Sequence, residues 1–185
     1  MRTPAVVAVV AALTLGAHAP RGAAADVTLI RGGAAIAHFS HTSADGCVHT
    51  VGELAAVQLT GGEQPSGLYV TGSTEDVCAG TGNGFAGFAP GGFTVVGLLF
   101  AHVHATVVAP SYSGGDDVTF AIDLTWLGRG PISRSHDRWD DGTAIGFAWS
   151  AGRAATTVGA VVGDGVAMTI DDASLAREVS GTITR

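Results

Sequence analysis

The sequence predicts an all-β protein, a single-domain antiparallel β-sandwich or partly closed β-barrel. Three observations carry that expectation. Val118, Phe120, Ile122, Leu124 and Trp126 alternate with Thr119, Ala121, Asp123 and Thr125, the period of two of a strand with one buried face. Few windows keep a helical period. Turn residues interrupt the chain about every ten residues, a spacing of short strands that favours sandwiches and barrels. Examples are Ser43-Ala44-Asp45-Gly46, Thr60-Gly61-Gly62, Ser113-Gly114-Gly115-Asp116 and Gly163-Asp164-Gly165.

Residues 1–25 read as a secretory signal peptide. Met1-Arg2 is a short positive start, residues 5–15 are an apolar run of h-region length, and Ala17-His18-Ala19 and Ala23-Ala24-Ala25 are A-x-A sites. The run is too short to span a bilayer. Cleavage is expected after Ala25, because Pro20 crowds the position after the earlier site. Residues 26–185 then form one secreted β domain.

Within that domain the first strands are expected at 34–40, 48–60 and 68–71. Gly82, Gly84 and Gly87 match G-x-G-x-x-G, but Phe88-Ala89-Pro90-Gly91-Gly92 cannot start the helix a dinucleotide site needs, so a flexible loop is expected. Residues 93–109 carry no charge. Gly97, His102, His104 and the missing basic flank make them two buried strands, or one long bent one, in preference to a membrane span. After the strand at 118–126, Ile145, Phe147 and Trp149 repeat the alternation, and further strands are expected at 154–162, 166–170 and 179–184. Trp126 and Trp149 fall on the apolar phase and are assigned to the core.

The formal net charge is −7, and all nine basic residues are Arg. Without Lys, a P-loop, a Schiff-base lysine and a lysine general base are excluded. The acidic balance argues against nucleic acid and anionic membranes as partners. Hydrophobic residues at 46% and charged residues at 14% suit one packed core. Cys47 and Cys78, an even count in an exported chain without C-x-x-C, read as one structural disulfide.

Sites of chemistry are sparse. No serine sits in G-x-S-x-G. His102 and His104, two apart in a strand, project from one face and have metal-ligand geometry, with a further ligand drawn from His38, His41, His49 or His136. Against this, Val103, Ala105 and Val107 make the inward face and turn both histidines outward. The pairs Asp116-Asp117, Asp140-Asp141 and Asp171-Asp172 are expected in turns, where neighbouring carboxylates point apart. Asp137, Asp140 and Asp141 before Gly142 suggest a calcium loop, without EF-hand spacing. Residues 134–142 are expected as a loop whose Arg134, His136, Arg138 and Trp139 form the candidate contact site, since loops on a β scaffold commonly carry function; the alternative is a solvated turn whose Trp139 shields the end of the sheets.

Asp76-Val77-Cys78-Ala79-Gly80 matches D-x-C-x-G. Trp126-Leu127-Gly128-Arg129-Gly130-Pro131, then Gly152-Arg153-Ala154, Gly159 and Asp164-Gly165, match W-x-G-x-G-P…R-x-A…G…DG. These stretches resemble a group of small exported bacterial β proteins with no known activity. The resemblance implies an extracellular all-β domain and transfers no functional residue. The functional expectation is a secreted, non-enzymatic binding or surface-associated module needing no cofactor. The alternative is a metal-dependent enzyme or metal carrier using His102 and His104, and a barrel holding an apolar ligand is a third reading.

Overall fold

A computed structural model of the protein describes residues 27–61 and 65–184. The signal peptide, its A-x-A sites and the start at Asp26 lie outside the described residues. Eleven strands run in chain order: β1 (Val27–Thr42), β2 (Val48–Thr60), β3 (Gly67–Asp76), β4 (Thr81–Ala89), β5 (Phe93–Val96) and β6 (Phe100–Ala109) come first. β7 (Val118–Gly128), β8 (Ser133–Asp140), β9 (Ala144–Gly163), β10 (Val166–Ala167) and β11 (Thr169–Thr184) follow. They form one antiparallel sheet in the order β4-β3-β2-β1-β11-β9-β7-β6-β5, with β8 and β10 also paired to β9. The sheet curls into a half-barrel, as the all-β expectation required.

Curling brings one face of β1–β4 and β11 against β6, β7 and the end of β9. Phe39, Leu54, Leu68, Val70 and Phe85 meet Val103, Val107, Phe120, Leu124 and Val161 in one buried cluster. Phe120 packs its ring 5.5 Å from Phe39 and 5.3 Å from Phe85. Trp126, fully buried, donates its indole N–H to the Ile36 carbonyl at 2.9 Å, so the ring and its polar atom are both satisfied across the core. The alternation read in 118–126 holds throughout: Phe120, Ile122, Leu124 and Trp126 are buried, and Asp123 is exposed. The far edge comes close to β6, since Ala86 N–H reaches the Pro110 carbonyl and Tyr112 N–H the Gly84 carbonyl.

Three expectations change. Residues 81–89 are strand β4 and not a loop. Its glycines pass under neighbouring side chains: a Cβ at Gly84 would strike Tyr112, and one at Gly87 would strike the Val108 carbonyl. The strands expected at 145–149 and 154–162 are one strand, β9, which changes partner midway: β8 lies beside residues 145–152 and β7 beside 155–163. Asp171 and Asp172 lie in β11 instead of a turn. The register shift after His38 leaves Asp171 opposite no residue of β1, and it accepts the Ser40 hydroxyl at 2.9 Å.

The turn read at 163–165 is a tight hairpin. Asp164 (φ 48°) and Gly165 (φ 79°) supply its two left-handed residues. The Cys47–Cys78 disulfide, with Cα atoms 5.3 Å apart, ties the β1–β2 turn to the β3–β4 turn. Among the described residues, no helix is long and apolar enough to cross a membrane.

Candidate functional site

β1, β11, β9 and β8 extend past the half-barrel as a wing made of residues 27–33, 177–184, 144–151 and 133–140. Cross-strand partners in an antiparallel sheet share a face. One row of partners is Arg31, Val179, Trp149 and His136; the next is Leu29, Gly181, Phe147 and Arg138. A third is Gly33, Arg177, Ala151 and Arg134. These odd positions of β1 and β11 continue the phase of Ala35, Ala37 and Leu175, all fully buried, so the face is the core side of the sheet. Two close approaches agree: a Cβ at Gly181 would lie 2.7 Å from the Phe147 ring, and one at Gly33 would lie 3.2 Å from Val95 of β5.

The result is a concentration of positive charge on an acidic chain. Arg31, Arg134, Arg138, Arg153 and Arg177 all register on this face, leaving only Arg129 of the described arginines elsewhere. Asp140 is the one carboxylate registering here among the described residues of the wing. Arg31, Arg134, Arg138 and Arg177 are exposed, around half-buried Phe147, Trp149 and Val179. Among the described residues, no arginine lies within 4.0 Å of a carboxylate; the three ion pairs all involve histidine. Arg153 is engaged structurally, its Nε donating to the Gly130 carbonyl at 3.1 Å.

The sequence-selected contact residues therefore divide. Residues 133–140, expected as a loop, are strand β8, with only the following turn irregular. Arg134, His136 and Arg138 lie on the arginine face. Trp139 points the other way, over Gly146, where a Cβ would fall inside its indole ring. Trp149, expected in the core, is only half-buried because the wing has no opposing layer there. The calcium reading fails on geometry. Asp137 and Asp140 lie on opposite faces of β8, and Asp141 accepts the N–H groups of Thr143 and Ala144 at 2.8 and 2.7 Å. Its carboxyl is held below the usual range by the Ala144 N–H and then by the Thr143 hydroxyl.

His102 and His104 do share a face, the outer one. His102 Nδ1 lies 3.0 Å from the Thr125 hydroxyl, and His104 Nδ1 lies 3.6 Å from Asp123. Of the other histidines named, His49 Nδ1 is 3.2 Å from the Thr42 hydroxyl, and His38 lies between Asp172 (2.7 Å) and Glu53 (3.1 Å) on the outer face of β1, β2 and β11. Among the described residues, no three His, Cys, Asp or Glu side chains converge as a metal site.

The opposite end of the half-barrel opens as a cavity of about 600 Å³. Phe85, Val118, Val166 and Met168 line it with Asp76, Asp116 and Asp164 at its polar margin. Sequence reasoning missed Arg31, Arg153 and Arg177, which stand alone in three strands and meet only through the register. The available signal was phase: Arg31 shares it with Ala35 and Ala37, and Arg177 with Leu175. No family model, no curated protein and no solved structure matches this chain.

Proposed function

We propose that this protein is a secreted, non-enzymatic binding module that holds an anionic partner on the arginine face of the wing. The observation that carries the reading is the collection of Arg31, Arg134, Arg138 and Arg177 around Phe147 and Trp149 with no carboxylate within 4.0 Å of any of the four among the described residues. Guanidinium forks pair in two-point fashion with carboxylate, sulfate or phosphate, and flanking aromatic surface excludes water from such pairs. The whole-chain acidity does not oppose this, because a local field of one sign governs a local contact. Secretion is supported by the signal-like residues 1–25 and by the disulfide, which persists in oxidising compartments.

The test is a titration of the mature chain with dextran sulfate across a salt series. Binding should weaken as salt rises, with log K linear in log salt. Arg134→Ala/Arg138→Ala should flatten that slope by roughly 1.4–1.8, the counterion release of two charges. Salt-independent binding, or a double variant that binds as the wild type does, contradicts the reading.

A further inference from the structure

Charge on this chain is divided between its two ends. At the cavity end, Asp45, Glu75, Asp76, Asp116, Asp117 and Asp164 stand in or beside the turns. Residues 41–50, 74–84, 109–120 and 161–173, which build that end, contain no arginine. At the wing end stand Arg31, Arg134, Arg138 and Arg177. Arg31 and His41 lie ten residues apart on β1, a separation of roughly 33 Å at strand rise. That is several Debye lengths at physiological salt, so the two ends of one molecule cannot neutralise each other.

We propose that the anionic partner of the wing is the acidic cavity end of a second copy of this chain, docked head to tail. This rests on the binding reading above and names its partner. Both halves of the contact pair charge with apolar surface: Phe147, Trp149 and partly exposed Ile183 on the wing, Val118, Val166 and Met168 at the cavity. Contact of one end with a different end is heterologous, so each docked copy leaves one of each end free. Association then continues into chains or closes into a ring, and it weakens with salt.

Sedimentation velocity on the mature chain tests this. At low salt the average mass should rise with concentration, and it should return to the monomer near 1 M salt, where screening is about 3 Å. Arg134→Asp/Arg138→Asp, which spoils the wing, and Asp116→Arg/Asp117→Arg, which spoils the cavity end, should each stay monomeric alone. Mixed, they should form a 1:1 dimer that grows no further, since one intact wing meets one intact cavity end. Should Asp116→Arg/Asp117→Arg fail to fold, Asp116→Arg alone, at an exposed position on the cavity margin, takes its place. A mixture that stays monomeric, or either variant assembling as the wild type does, overturns head-to-tail docking. Dextran sulfate binding on the same samples separates the two claims. A monomer that still binds it loses this inference and keeps the binding reading, and a monomer that does not bind it loses both.

Discussion

Truncating Leu124 to Ala removes three carbons from a side chain that is fully buried on β7 between Val103 of β6 and Gly159 of β9. Transfer alone costs about 2.4 kcal/mol at ~0.8 kcal/mol per methylene. A cavity term adds to it, because Gly159 has no side chain to lean in and a Cβ there would strike the Asp123 carbonyl. The sum is about 3–4 kcal/mol, inside the range of roughly 2–5 kcal/mol for buried Leu truncations. For a domain of this size that lowers Tm by about 6–16 °C. The assay is urea unfolding of the oxidised mature chain, with an unchanged m-value confirming that the unfolding unit is the same. Asp123→Ala, one residue away on the exposed face, should stay within about 0.5 kcal/mol of the wild type. A Leu124→Ala effect below about 0.5 kcal/mol, or an equal effect at Asp123, refutes the assignment of faces.

Two further outcomes follow from the same structure. Replacing Cys47 and Cys78 with Ser should cost roughly 3–4 kcal/mol through loop-closure entropy, read as a lower urea midpoint; an unchanged midpoint contradicts a bridge in solution. The hydrogen bond to Asp172 leads in raising the His38 pKa above 6.5, burial opposes it, and the charges of Asp172 and Glu53 add to the rise. The folded-state value is the higher one, so the contribution is complete below about pH 6.5 and fades as pH rises through the folded pKa. With the side chain 49% exposed, the contribution stays under about 1 kcal/mol. His38→Gln should therefore lose more stability near pH 5.5 than near pH 8.5, and an NMR titration placing His38 at or below 6.5 contradicts the pairing.

What the sequence revealed depended on whether a segment has one wet face. β7 and β2 do, so their alternation marked them: 48–60 matches β2 end to end, and 118–126 falls short of β7 by two residues. β8 has no buried face, so Ser133-Arg134-Ser135-His136-Asp137-Arg138 offered no apolar period and read as a loop. β4 hides its strand character differently, using glycines that let Tyr112 and Val107 lie over its backbone. The candidate site was half legible. Arg134, His136 and Arg138 are close in sequence and stood out. Arg31 and Arg177 are separated by 146 positions and meet on one face only through the pairing of β1 with β11. Net charge misled for the same reason, since a sum over the chain is blind to the division between its ends.

On the binding reading, contact belongs to one face of the wing. Arg138 and Trp139 are adjacent in β8 and point to opposite faces, so comparing them tests the claim most directly. Dextran sulfate affinity and thermal stability should be measured together for Arg138→Ala and Trp139→Ala. Arg138→Ala should lose affinity and keep its melting temperature. Trp139→Ala should keep affinity and lose up to about 1 kcal/mol, the packing of its ring over Gly146. Lost affinity in Trp139→Ala with unchanged melting, and none in Arg138→Ala, would place the contact on the other face and contradict binding by the arginine face.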